Sequence, residues 1–219
     1  MTAYDEIFEN LMLFYSAPDY IKDVELAKSS FFERAGVMDE TAPEFEQKMV
    51  QFVDWYLCSR KLSQSKLSPI KDALGNSKYN IPESHLQLYK NISNNRHSLF
   101  QFSKISGNDL HIQDLFSGYR MVIKDSDVVV GFNKGDVFEA RLIPHEDSFI
   151  FTRAFCFHPP QALKFISKEI KGIKKANKEN LDQAREEFLL KLYKMKSAFD
   201  QYKHVATERI YSHENNLRL

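Results

Sequence analysis

The chain has 219 residues, in which 30 Lys and Arg balance 30 Asp and Glu, with 43 % hydrophobic and 27 % charged residues. This is the composition of a folded globular chain long enough for a sizeable core, and no apolar run approaches the roughly 20 residues of a membrane span. Met1-Thr2-Ala3-Tyr4-Asp5-Glu6 lacks the basic start and apolar stretch of a signal peptide, and Cys58 and Cys156 sit far apart in apolar surroundings as reduced thiols, so a cytoplasmic protein with no membrane contact is expected.

Residues 4–16 place Ile7, Phe8, Leu11, Phe14 and Tyr15 at helical spacing, with Asp5 and Glu6 near the positive end of the helix dipole. A second helix is expected over 20–35 on the stripe Tyr20, Val24, Ala27 and Phe31, stopped by a left-handed Gly36. Thr41-Ala42-Pro43-Glu44 reads as an N-cap and first turn, opening a helix through Phe45, Met49, Phe52, Val53, Tyr56 and Leu57 to about Arg60. This helix is apolar nearly all round and carries the only Trp, Trp55, so it belongs at the centre of a helical lobe. Asp54 inside it needs a partner, which Arg60 or Lys61 nearby would supply. Ser68-Pro69 and Pro82-Glu83 open two further short helices in the same manner.

At Asn94-Asn95 the period changes from helical to two. Strands are expected at Ser98–Ile105, Leu110–Leu115, Tyr119–Ile123, Val128–Val130, Val137–Ile143 and Ser148–Thr152, separated by turns at Gly107-Asn108-Asp109, Ser117-Gly118, Lys134-Gly135-Asp136 and His145-Glu146-Asp147. In Val137–Ile143 the alternation assigns Glu139 and Arg141 to the wet face. Such spacing predicts a small antiparallel barrel or strongly curled sheet. Pro159-Pro160 ends it, and a helix follows to about Lys175 on Phe165, Ile166, Ile170 and Ile173. The last helix is expected to run from Glu179 to Ser212, roughly 50 Å. Its narrow seam of Leu181, Ala184, Phe188, Leu192, Met195, Phe199, Tyr202 and Ala206 would pack along another helix, within the chain or across a homodimer. The fold class is therefore α+β, divided as a helical lobe over 1–94, a β unit over 95–158 and a C-terminal helical hairpin over 159–219 packed on the lobe.

Charge is uneven along this order. Residues 1–60 carry 12 acidic and 5 basic residues (net −7), residues 61–159 carry 10 and 12 (+2), and residues 160–219 carry 8 and 13 (+5). Lys164, Lys168, Lys171, Lys175 and Lys178 recur at steps of four and three, which lines five ammonium groups along one helix face, opposite Ile166, Ile170 and Ile173. Like charges at that spacing repel by a few tenths of a kcal/mol per pair, so an acidic surface would relieve a real cost. The row is a solvated helix face, or it meets the acidic helices of residues 1–60, an acidic protein partner, or nucleic acid with Tyr119, Phe132 and Phe151 as stacking faces.

Catalytic signatures are missing: there is no nucleophile elbow, P-loop, dinucleotide-binding glycine fingerprint or His-Glu-x-x-His helix, so neither a cofactor nor a metal is expected. Asp39-Glu40, Glu44 and Glu46 fit helix caps and solvated faces. His145-Glu146-Asp147 fits a solvated turn, because adjacent residues at a strand end point in different directions. Cys156 and His158 share one strand face, as a nucleophile and base would, although Phe155 and Phe157 beside them argue for a buried thiol. The leading expectation is a non-enzymatic interaction or regulatory module. A nucleic-acid binder using the lysine line is the alternative, and an enzyme around Cys156 and His158 the third.

Phe52-Val53-Asp54-Trp55-Tyr56-Leu57 followed by Leu67-Ser68-Pro69-Ile70 resembles a poorly characterised bacterial family with an F-x-D-W-[FY] helix. In that family a helical lobe precedes a small β unit with a segment similar to Gly135-Asp136-Val137-Phe138-Glu139-Ala140-Arg141-Leu142. The similarity covers about residues 45–160 and implies an architecture without an activity. Some members carry a SEC-C-type, cysteine-rich zinc tail; Tyr211–Leu219 contains no cysteine, so zinc is not carried over.

Overall fold

A computed structural model describes residues 2–36, 40–41, 43–128, 131–177 and 179–213. Asp39, Ala42, Val129, Val130, Lys178 and the tail 214–219 lie outside them. Five helices come first: α1 (Ala3–Tyr15), α2 (Ile21–Ala35), α3 (Phe45–Cys58), α4 (Pro69–Ala73) and α5 (Leu86–Ser93), the last entered through a tight turn at Glu83–His85. Thr2 caps α1 reciprocally with Asp5. Ser68 and Pro69 open α4 as their order predicts. Thr41 does not cap α3: residues 43 and 44 form a turn, and the helix starts at Phe45 with Glu44 before it. Gly36 takes φ +98° and ψ +146°, so it ends α2 with an extended, glycine-only backbone and not a left-handed turn.

The first core gathers on α3, where Phe31 of α2 meets Phe52 and Trp55 at ring separations of 5.6 and 5.4 Å. Each fully buried ring of this kind contributes roughly 1.5–3 kcal/mol. The Tyr56 hydroxyl donates to the Tyr15 carbonyl at 2.7 Å and the Tyr15 hydroxyl to Asp72 at 2.8 Å, tying α3, α1 and α4 together.

The sheet consists of β1 (Arg96–Ser106), β2 (Asp109–Asp114), β3 (Arg120–Ile123), β4 (Val137–His145), β5 (Ser148–Phe151) and β6 (Cys156–His158). All its pairings are antiparallel, in the order β3-β2-β1-β4-β5, with β6 added beside the start of β4. The sixth strand is thus Cys156–His158, and Val128 lies outside any strand. A register shift between Phe102 and Lys104 bends β1. The sheet curls into a half-barrel until the end of β3 meets the start of β5: the Lys124 amide donates to Ser148 Oγ at 2.9 Å, and its ammonium pairs with Asp147. Phe100, Phe102, Leu110, Ile112, Phe138 and Leu142 fill the concave face. Phe132 stacks there on Phe102 at 5.1 Å, and Phe151 packs on Phe155 at 5.0 Å.

The convex face carries His97, Leu99, Val137, Glu139 and Arg141, and it is covered by helices. Glu139 and Arg141 are 0 % and 1 % exposed, so the alternation that assigned them to water is overturned. Period two identifies a second face; whether that face is wet depends on what packs against it.

The chain closes with α6 (Leu163–Ala176), α7 (Leu181–Gln201) and α8 (Thr207–Ile210). The last long helix therefore spans 21 residues, roughly 30 Å, and does not reach Ser212. It breaks at Tyr202, which lets the chain fold back and bury Ile210 and Tyr211. A continuous helix would carry Tyr211 roughly 15 Å further out, away from the core. Nor is α7 a narrow seam: Leu190 and Tyr193 belong to the first core, while Phe188, Leu189, Leu192 and Met195 pack with α6, α8, Leu99 and Val137. Phe188, Leu192 and Met195 are thus buried by their own chain.

Candidate functional site

The covered face of the sheet holds a network of buried charge. Arg141 of β4 donates through Nε to Asp54 of α3 at 2.6 Å, through Nη1 to Asn95 at 2.6 Å and through Nη2 to Ser59 at 3.0 Å. Asp54 thus finds its partner 87 residues away and not in Arg60 or Lys61. Burial alone would lower the Arg141 pKa, but the Asp54 carboxylate outweighs it and holds the guanidinium charged. Beside it, His97 of β1 places Nε2 2.8 Å from Glu139 and Nδ1 3.1 Å from Glu186 of α7. Burial would push the imidazole pKa down; the Glu186 charge and the hydrogen bonds to both carboxylates raise it to about 9. Burial likewise works against the Glu186 charge, but His97 overrides it and brings that pKa to about 2. Glu139 is shifted up, chiefly by burial. At neutral pH the imidazolium therefore bridges α7 and the sheet.

A cleft of about 920 Å³ opens over this network, bordered by the end of α2, the end of α3, α4 and the start of α7. His97, Arg141 and Trp55 lie buried at its floor. Arg34, Lys61 and Lys71 are exposed along its wall, with Arg60 partly covered beside them. The volume suits a small molecule, and polar groups converge on it.

Lys164, Lys168, Lys171 and Lys175 all stand exposed on α6, while Ile166 and Ile170 are buried on its opposite side. Lys178, the fifth of the line, lies outside the described residues. No carboxylate among the described residues pairs with the four. The acidic helices do not cover them: α6 packs on α7 and on the turn Pro160–Ala162. The tail meets the head through α7 and α2 instead, where Lys194 donates to the Glu33 carbonyl at 3.4 Å.

Cys156 and His158 do share a face of β6, and both are buried. His158 Nδ1 lies 3.0 Å from the Tyr211 hydroxyl. Burial holds the Cys156 thiol well above the ordinary thiol range and drops His158 to about 3, the opposite of what a thiolate–imidazolium pair requires. The other buried thiol, Cys58, is pushed up to about 12. Phe132 and Phe151 belong to the aromatic interior of the half-barrel, which leaves Tyr119, 70 % exposed, as the open ring of the three. At the hairpin tip, His145 meets the Tyr4 hydroxyl at 3.2 Å and Asp147 meets Lys124; no metal-sized group of His, Cys, Asp and Glu gathers among the described residues.

Local pattern singles out neither His97 nor Glu186 nor the charged cleft, and it places Glu139 in water. The available signal was Asp54 in an apolar helix together with two opposite charges on one apolar strand, each of which needs a partner once buried.

An α+β protein with a charged cleft walled by helices over a half-barrel sheet is the class that this fold and site define. The chain belongs to a family of unknown function, DUF7986, whose model matches residues 20–203. No curated protein and no solved structure matches it. No helix among the described residues is long and apolar enough to cross a membrane.

Proposed function

We propose that the protein is a non-enzymatic interaction module that docks an acidic protein partner on the lysine face of α6. The observation that carries this is the row Lys164, Lys168, Lys171 and Lys175, exposed together and paired with no carboxylate among the described residues. Their mutual repulsion is a cost that a facing acidic surface removes. In this reading residues 159–219 form the docking unit, held on the helical lobe of residues 1–94 through α7 and α2. Nucleic acid is the less favoured partner, because two of the three rings that would stack bases, Phe132 and Phe151, are half-buried against the aromatic core.

Fluorescence anisotropy with a labelled Glu/Asp-rich peptide and a labelled single-stranded DNA, at about 50 and 200 mM salt, tests this. The peptide should bind, weaken with salt and be lost in the Lys168→Glu plus Lys171→Glu protein. Absence of binding at low salt, or binding indifferent to the charge reversal, would sink the proposal. DNA binding tighter than the peptide would move the partner class to nucleic acid.

A further inference from the structure

The cleft over the buried network plays no part in the α6 proposal. One wall is cationic and drawn from three separate stretches: Arg34 ends α2, Arg60 and Lys61 follow α3, and Lys71 lies on α4. None of the four makes an ion pair with a described residue, and Arg60 Nε is buried with no acceptor. Two of these cations come from residues 1–60, the stretch with a net charge of −7.

The opposite wall is acidic, but two of its carboxylates are paired. Asp182 holds Arg185 at 3.0 Å and Glu186 holds His97 at 3.1 Å, whereas among the described residues Glu187 accepts only from the neutral Gln183 amide at 3.1 Å and, like Glu179, keeps its charge, two against the four free cations. Glu179 stands exposed at the edge. The surplus is therefore cationic. The start of α7 adds to it, since Asn180 makes no side-chain cap and the positive end of a 21-residue helix meets the cleft.

We propose that this cleft binds a small phosphorylated molecule, with its phosphate oxygens taken by Arg60, Lys61, Arg34 and Lys71. Guanidinium forks match tetrahedral oxyanions with paired, charge-assisted hydrogen bonds.

Isothermal titration calorimetry of the full chain with pyrophosphate, metal-free ATP and citrate tests the proposal. The comparison proteins are Arg60→Gln, Lys61→Gln and the α6 pair Lys168→Glu plus Lys171→Glu. Pyrophosphate or ATP should bind at a single site, lose about tenfold in affinity or more in Arg60→Gln and Lys61→Gln, and be unchanged by the α6 pair. Lys61 is exposed, so its variant reports on the site even if Arg60→Gln folds poorly. No binding of either phosphate probe, equal binding of citrate, or indifference to Lys61→Gln would overturn it. Loss in the α6 pair alone would place the anion on that helix and overturn it too.

Discussion

Arg141 and Asp54 show what one buried residue can decide. Each charge is fully removed from water, and each is tolerable only because the other lies 2.6 Å away. Asp54→Asn should therefore cost about 3–5 kcal/mol of stability in urea unfolding, because it leaves the Arg141 charge without a counterion. Lys171→Ala on the open face of α6 should stay within roughly 0.5 kcal/mol. Equal losses in the two variants would contradict the distinction drawn between these sites. Asp54 was identifiable from sequence as a polar residue in need of a partner. That the partner is Arg141 was not, because nothing local joins residues 87 positions apart.

Among the elements, α7 illustrates how far periodicity reaches. Its steps of three and four announce a helix, and a helix forms. Its end is set elsewhere, by the return of α8 that seats Ile210 and Tyr211 in the second core. Tyr211→Phe deletes the hydroxyl that meets His158 at 3.0 Å and should cost about 1–3 kcal/mol, as expected when a buried polar group loses its partner. Tyr211→Ala, which also empties the ring's place, should cost about 3–5 kcal/mol. Thermal unfolding that ranks the two in the reverse order would show that the fold-back contributes little.

The whole molecule carries two buried histidines with opposite consequences for pH. His97 has a folded pKa of about 9, above its ordinary 6.5, so its contribution is complete below pH 6.5 and is lost as pH rises through 9. His158 has a folded pKa of about 3, so the unfolded chain takes up its proton first and stability falls from pH 6.5 towards 3. Glu186, held at about 2 against an ordinary 4.5, adds a loss below pH 4.5. Stability measured by urea midpoint should therefore decline on both sides of the region of pH 6.5. His97→Gln should flatten the alkaline limb and His158→Gln the acid limb; an unchanged alkaline limb in His97→Gln would refute the assignment.

Helices α1 to α7, strands β1 to β5, the curl of a small antiparallel sheet and the lysine row of α6 were legible along the chain. These follow from period, caps and turn residues, all of which act within a few positions along the chain. Packing over long sequence distances set the rest: the polar face of β4 lies under α3 and α7, α7 stops at Gln201, α8 and β6 join the fold, and cations from α2, from the segment after α3 and from α4 line one wall of a cleft. Burial is a property of what packs on a face, and an alternating strand looks the same to its own sequence whether water or a helix lies above it.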